Sequence, residues 1–385
     1  MEHSIKKNSW VIIIVLIIAI DIVGSAYFET GKTYMIFACL LFAFFSKEKC
    51  LANNDVKLPW VLVISFVCLI ILQNLFIIDV DKNRQIVFLL YVLILFFYAK
   101  KGNVQEMHTL SLCVKILAII GTLSVLSITG FRNDVMYRED VLIDKGMLTI
   151  WFAMLYAITI SEVLMKKNIL SNIVLFLCIL VINLFIVQSK TAVFSAVVFI
   201  GVVYFISEKK VKRQFKKWLM PALFILAVAI IMFPTILLPE SMRIGINYVL
   251  GADVFQVDYH SKQFATFDMR SEINAFTFSL FLQNPWIGIG CGAYKNIAFL
   301  DVTECENTYA DIFVEGGLLW GLPMVAIMIF ILYKSIKNIK RKHFVYENYL
   351  CLAIIVSMIV AFQYNDFVRS FTFLYLGCCF HAVKC

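Results

Sequence analysis

The chain has 385 residues, 62% of them hydrophobic and only 16% charged, with 35 phenylalanines and a net charge of +8. A soluble domain is nearer about 45–50% apolar and about 25% charged, so this composition excludes a soluble globular protein and is that of a polytopic membrane protein. Eleven cysteines are scattered through mostly apolar stretches without a CxxC pair, which argues against a zinc site or a disulfide framework.

In chain order, the first apolar run follows Lys6-Lys7. It lacks a small-residue cleavage site and reads as a first anchor rather than a removable signal. Spans are predicted over 10–28, 33–45, 59–78, 86–98, 110–128, 146–165, 169–187, 191–207 and 218–238, then, beyond a long polar segment, over 317–333, 349–362 and 370–383. The fold class is thus an all-α polytopic membrane protein of about 12 transmembrane helices. Residues 1–385 form a single integral membrane domain, with one loop, 239–316, dominating the connections. Placing the N-terminus in the cytoplasm puts 22 of the 34 Lys and Arg residues on that side. The positive-inside rule then sets both termini inside and loop 239–316 outside the cytoplasm. Asp21 is the one charge read as clearly embedded.

The halves of the chain do not repeat, unlike those of many secondary transporters. Polar islands gather on the predicted outer side. One lies between spans five and six and carries Arg138; another is the short junction Gln188-Ser189-Lys190-Thr191. A lysine there is either a snorkelling anchor or a ligand for an anion in a crevice. In the long loop, residues 267–283 read as a helix with Arg270 in its first turn and Glu272 beside it; Asn284-Pro285 ends it, because the residue before proline disfavours helical backbone angles. Gly288-Ile289-Gly290-Cys291-Gly292 lacks a preceding strand and so is no nucleotide loop; its glycines suit a tight turn with closely approaching backbones. Cys291 and Cys305 are read as free thiols, with a disulfide as the alternative in an oxidising compartment. Glu306-Asn307-Thr308-Tyr309 follows, then Glu315-Gly316-Gly317-Leu318-Leu319-Trp320-Gly321, running into an apolar helix. Acids near a helix start also suit simple capping.

The order of these motifs resembles the O-antigen polymerase (Wzy-type) and O-antigen ligase (WaaL-type) superfamily. The resemblance covers the topology of the whole chain and the motifs of residues 188–192 and 270–323. It implies a GT-C-like helical membrane fold and a metal-independent glycosyltransferase, with no cofactor and no nucleic-acid partner. The donor would be an undecaprenyl-diphosphate-linked oligosaccharide, the setting the bacterial cytoplasmic membrane with its lipids, and the partners a chain-length regulator and a flippase. Carried over by position, Lys190 and Arg270 stand where the family has basic residues that hold the diphosphate, and Glu306 stands where the ligases have histidine, which favours a polymerase of O-antigen or capsule repeat units. Arg138, Glu272, Asn307 and Tyr309 complete the expected substrate-binding set.

The chemistry points the same way. A lipid-diphosphate leaving group gains negative charge as the glycosidic bond breaks, and fixed cations act where that charge develops. Arginine offers phosphate a bidentate fork and lysine a point charge. A sugar hydroxyl is a poor nucleophile and needs a base, a role open to Glu306. A flippase or transporter is the alternative from another class. It would carry charges within several spans and a pathway near the midplane.

Overall fold

The computed structural model describes residues 56–77, 80–101, 106–129, 145–183, 187, 189–207, 212, 243–244, 247, 250, 253–257, 262–297, 308–361 and 370–384. The predicted spans 10–28, 33–45 and 218–238 lie outside them, as do Arg138, Cys305, Glu306 and Asn307.

The described residues form α1 (Lys57–Phe76), α2 (Lys82–Lys101), α3 (Glu106–Thr129), α4 (Lys145–Leu164), α5 (Ile169–Ile182), α6 (Lys190–Ile206), α7 (Lys262–Gln283), a short α8 (Tyr294–Ile297), α9 (Thr308–Lys340), α10 (Val345–Ala361) and α11 (Ser370–Lys384). None of them is in a strand. Lipid leaves no water to satisfy a backbone, so long apolar segments close their hydrogen bonds within helices. Three helices, Lys57–Phe76, Lys82–Lys100 and Thr308–Lys340, are long and apolar enough to cross a membrane. Shorter apolar helices, among them Leu148–Leu164 and Val345–Val360, pack between them.

Burial follows composition. Helix α1 buries Leu62, Phe66, Leu69 and Gln73 and turns Trp60, Ile64, Val67, Ile71 and Leu75 outward, an apolar stripe at helical spacing that suits lipid. Helices α4 and α10 are apolar all round and buried, with Leu148–Ile158 and Leu350–Val356 enclosed on every side. They form the middle of the bundle, where α10 packs on α4, α6 and α9, while α11 lies along α2.

Cross-contacts sort the helix ends. Ser161 Oγ donates to Tyr349 O, and Ser357 Oγ to Ala153 O at 3.0 Å, so α4 and α10 are antiparallel. Asn338 Nδ2 donates to Val383 O and His381 Nδ1 meets Ala99 O. One end of the bundle therefore gathers Lys100, Lys167, Lys340, Arg341, Lys342 and Lys384; it is called the basic end below. Here Glu162 of α4 accepts from Ser111 Oγ (3.0 Å), Lys115 Nζ, Asn172 Nδ2 (2.7 Å) and Tyr346 OH (3.1 Å), joining α3, α4, α5 and α10. Glu162 is buried; a buried acid persists where several donors and a cation satisfy it. Its place is a helix end, not the midplane position a transport pathway would use. Asp21, read from sequence as embedded, lies outside the described residues.

Candidate functional site

The opposite end is organised by a break in α9. Gly317 has φ +61° and ψ −161° inside an otherwise helical segment, a conformation essentially confined to glycine. Breaking a helix orphans carbonyls before the break and amides after it. The turn over residues 284–290 supplies the missing partners. Ile289 N donates to Val314 O at 2.8 Å and Gly290 N to Glu315 O at 3.3 Å, while Leu318 N donates to Pro285 O at 2.8 Å and Leu319 N to Trp286 O at 3.2 Å. A Cβ on Gly317 would lie 2.5 Å from the Trp286 carbonyl, and one on Gly288 would lie 2.4 Å from Val314 O. These glycines permit the approach, as their spacing predicts.

Gln73 of α1 ties the assembly together. Its side-chain Nε2 donates to both Ile287 O and Glu315 O at 2.7 Å. Its Oε1 accepts from Gln85 Nε2 at 3.1 Å and from Cys291 N at 3.3 Å. Asp81 receives the chain at the start of α2, with Oδ1 accepting from Asn83 N and Arg84 N and its own N–H donating to Cys291 O. A buried carboxamide this well used is satisfied rather than costly.

Beside it lies an ion fork. Arg84 Nη2 sits 3.2 Å from Asp311 Oδ2, and Nε sits 3.3 Å from Glu315 Oε2. The carboxylate side chains are 6% and 1% exposed and the arginine 27%, with its guanidinium 5.4 Å from the centre of the Phe88 ring. Asp311 and Glu315 are four residues apart and so share one face of α9. That face is clamped to α2. Cys291 is fully buried and free. Burial holds its thiol well above the usual range; Glu315, Asp311 and Asp81 add to the effect and Arg84 opposes it.

Tyr309 precedes Asp311 by two residues, about 200° around the helix, so it points away from the fork. With Ala310, Phe313 and Val314 it lines a cavity of about 450 Å³ whose other wall is Asn274, Thr277, Phe278 and Phe281 of α7. Tyr309 OH donates to Ile359 O at 2.9 Å, fixing the ring against α10. The first two turns of α9 are thus clamped on one side and open to an apolar cavity on the other.

Of the residues singled out from sequence, Tyr309 lies on this cavity. Helix α7 begins at Lys262, five residues before the predicted start. Arg270 is therefore in the helix interior rather than its first turn, one turn before cavity-lining Asn274. Glu272 is exposed on α7. Lys190 is the first residue of α6; the preceding Ser189 caps that helix, accepting from Ala192 N. Ser189 is gripped by Asn183, which accepts from its N–H (2.9 Å) and donates to its carbonyl (3.1 Å), and its hydroxyl pairs with Thr149 at 2.7 Å. Ser189, bonded to the N-terminal end of α4, lies at the same end as the α9 break. Among the described residues, no group of three or more His, Cys, Asp and Glu is placed to hold a metal ion.

Sequence reasoning missed Gln73, Arg84 and Asp311. The available signal was polarity: Gln73-Asn74 interrupts an otherwise apolar span, and such residues in membrane helices are partnered or functional.

An all-helical membrane protein with one polar, rigidly assembled end is the class these features define. The Wzy_C family model, described as O-antigen ligase, matches residues 173–323, from within α5 through the Lys190 junction to Pro323 of α9. That segment, less than half of the chain, is similar to this family and supports the resemblance to the O-antigen polymerase and ligase superfamily. No curated protein matches the chain.

Proposed function

We propose that the protein is a polysaccharide polymerase, joining undecaprenyl-diphosphate-linked repeat units of O-antigen or capsule on the outer face of the bacterial cytoplasmic membrane. The observation that carries this reading is the start of α9. It is fixed by the fork and the turn, opens onto an apolar cavity at Tyr309, and lies directly after Glu306-Asn307 in a matched family domain. A cavity of this lining suits the apolar part of a lipid-linked donor.

In this reading residues 1–385 act as one membrane domain, the basic end faces the cytoplasm with both termini, and the α9 break faces outward at the end of loop 239–316. Arg270 and Lys190 hold the diphosphate, with Arg138 in the surrounding shell. Asn307, Tyr309 and Glu272 bind the glycan. Glu306 takes the proton of the acceptor hydroxyl as that oxygen attacks the anomeric carbon, and the lipid diphosphate leaves with the bonding electron pair. The bond energy comes from the carrier and no metal or cofactor is used. A chain-length regulator and a flippase work beside it. Transfer to lipid A-core is the second reading, favoured by the printed family description; Glu306 in place of the ligase histidine favours the polymerase.

The test uses purified lipid-linked repeat units with donor binding measured separately. Glu306→Gln keeps size and hydrogen bonding but cannot accept the proton, so transfer should fall about 10²–10⁴-fold with donor binding retained. Arg270→Ala should lose both. Full transfer in Glu306→Gln ends the base assignment. Glycan delivered to lipid A-core but never to a second repeat unit replaces polymerase by ligase.

A further inference from the structure

Helix α7 presents two outward stripes. Glu272, Ser279 and Gln283 form a polar one. Phe278 and Leu282, one turn apart, continue into Trp286 of the turn, and these are 61%, 59% and 67% exposed. Three large apolar side chains in a row on a segment assigned to an aqueous loop call for a cover.

Two independent depth markers say what it is. In α9 the apolar stretch ends at Lys334. Counting back along the unbroken helix, Leu319 stands fifteen residues, about 22 Å, from Lys334, within the roughly 30 Å of hydrocarbon. The turn bonds at that level: Trp286 O accepts from Leu319 N. In α1, Gln73 Nε2 donates to Ile287 O, which sets the turn level with Gln73, between Ile71 and Leu75. Those two are 53% and 71% exposed on the outward stripe of a spanning helix. Leu322, the next outward apolar residue of α9, is 54% exposed beyond Phe313, which itself packs edge-on against Phe281 of α7.

We propose that the C-terminal half of α7 and the Asn284–Trp286 turn rest in the lipid leaflet at this end, with the Phe278–Leu282–Trp286 stripe contacting lipid chains directly. The stripe continues the lipid-facing surface of α1 and α9. Trp286, with an apolar ring and a polar N–H, is the residue type that settles at such a boundary, and an amphipathic helix lying in the interface is the arrangement its two stripes fit. The segment 239–316 is then not a wholly aqueous loop. Phe278 also borders the cavity, but Leu282 and Trp286 do not, and the test below rests on them.

The test places nitroxides at Leu282→Cys and Gln283→Cys on a cysteine-depleted full-length chain in phosphatidylethanolamine–phosphatidylglycerol vesicles. Collisions with lipid-soluble oxygen and with a water-soluble nickel chelate are compared. Oxygen should dominate at 282 and nickel at the adjacent 283. Nickel dominating at both sites overturns the proposal, as does exclusion of both probes from 282, which would mean that protein covers the stripe. If the cysteine-depleted chain does not fold, the native chain serves: brominated-chain lipids should quench its fluorescence more than that of Trp286→Phe, and equal fractional quenching overturns the proposal.

Discussion

Gly317→Ala is the sharpest perturbation of the site's architecture. The residue sits at φ +61°, ψ −161°, a region that costs a side-chain-bearing residue about 1–3 kcal/mol. Its new Cβ would also meet the Trp286 carbonyl at 2.5 Å and Gly288 N at 2.7 Å. These are backbone atoms with no rotamer to yield, so the turn must retreat. Retreat weakens the bonds from Leu318 N to Pro285 O and from Leu319 N to Trp286 O, at about 1 kcal/mol each. The sum is a loss of about 3–5 kcal/mol. Gly201→Ala in α6 is the control: a Cβ there meets nothing within 4 Å, and alanine gains up to about 1 kcal/mol of helix propensity. Thermal unfolding of the purified variants side by side, followed by tryptophan fluorescence, should move the two midpoints in opposite directions. A Gly317→Ala protein that unfolds with the wild type and still transfers glycan would refute the account of the break.

The ion fork makes a cycle testable. Arg84→Met strands two buried carboxylates and should cost about 3–5 kcal/mol; adding Asp311→Asn and Glu315→Gln should recover most of it, as read by unfolding midpoints, and a neutral single variant would mean that the fork holds nothing. Cys291 should resist alkylation. A free thiol reacts about tenfold faster per pH unit up to about 8.5, but burial and three nearby carboxylates raise the Cys291 pKa. Peptide mapping should therefore find its labelling by iodoacetamide slower than that of an exposed thiol and still rising at about pH 9; labelling that levels off near about pH 8.5, as for a free thiol, would contradict the buried, acid-flanked setting.

Hydrophobic runs made most of the fold legible. The predicted spans 59–78 and 110–128 correspond to Lys57–Phe76 and Glu106–Thr129, because long, predominantly apolar stretches leave a helix as the only satisfied backbone. Helix α9 differs. Hydropathy begins it at Gly317, whereas the helix starts at Thr308, since the Asp311–Glu315 face is paid for by Arg84, more than 200 residues away. No local pattern reveals such a partner. Glu315 could be read as a helix-start acid, and near a helix start it is, yet it is almost fully buried in an ion pair. Gln73 hid for a related reason: the Gln73-Asn74 pair marks a polar point in the span, but not the distant carbonyls that Gln73 serves. The Gly288–Gly292 run was readable because positive φ restricts the residue type itself.

The two motifs that carry the resemblance are halves of one backbone device. The break at Gly317 exposes two acceptors, Val314 and Glu315, and two donors, Leu318 and Leu319. Near the edge of a bilayer neither pair can rely on water, and each unmet group would cost about 1–3 kcal/mol. The Asn284-Pro285 turn presents the complementary set, acceptors at 285–286 and donors at 289–290. Proline belongs where no N–H is needed and a carbonyl is, and Gly288 belongs between the two sets, where the chain passes Val314 O too closely for any side chain. The spacing within Asn-Pro-x-x-Gly-x-Gly and within Glu-x-Gly-Leu-Leu-x-Gly fits this splice. What the splice fixes is the direction in which α9 begins. That beginning carries Tyr309 to the cavity, so the glycines and the proline determine the geometry with which the helix start meets it.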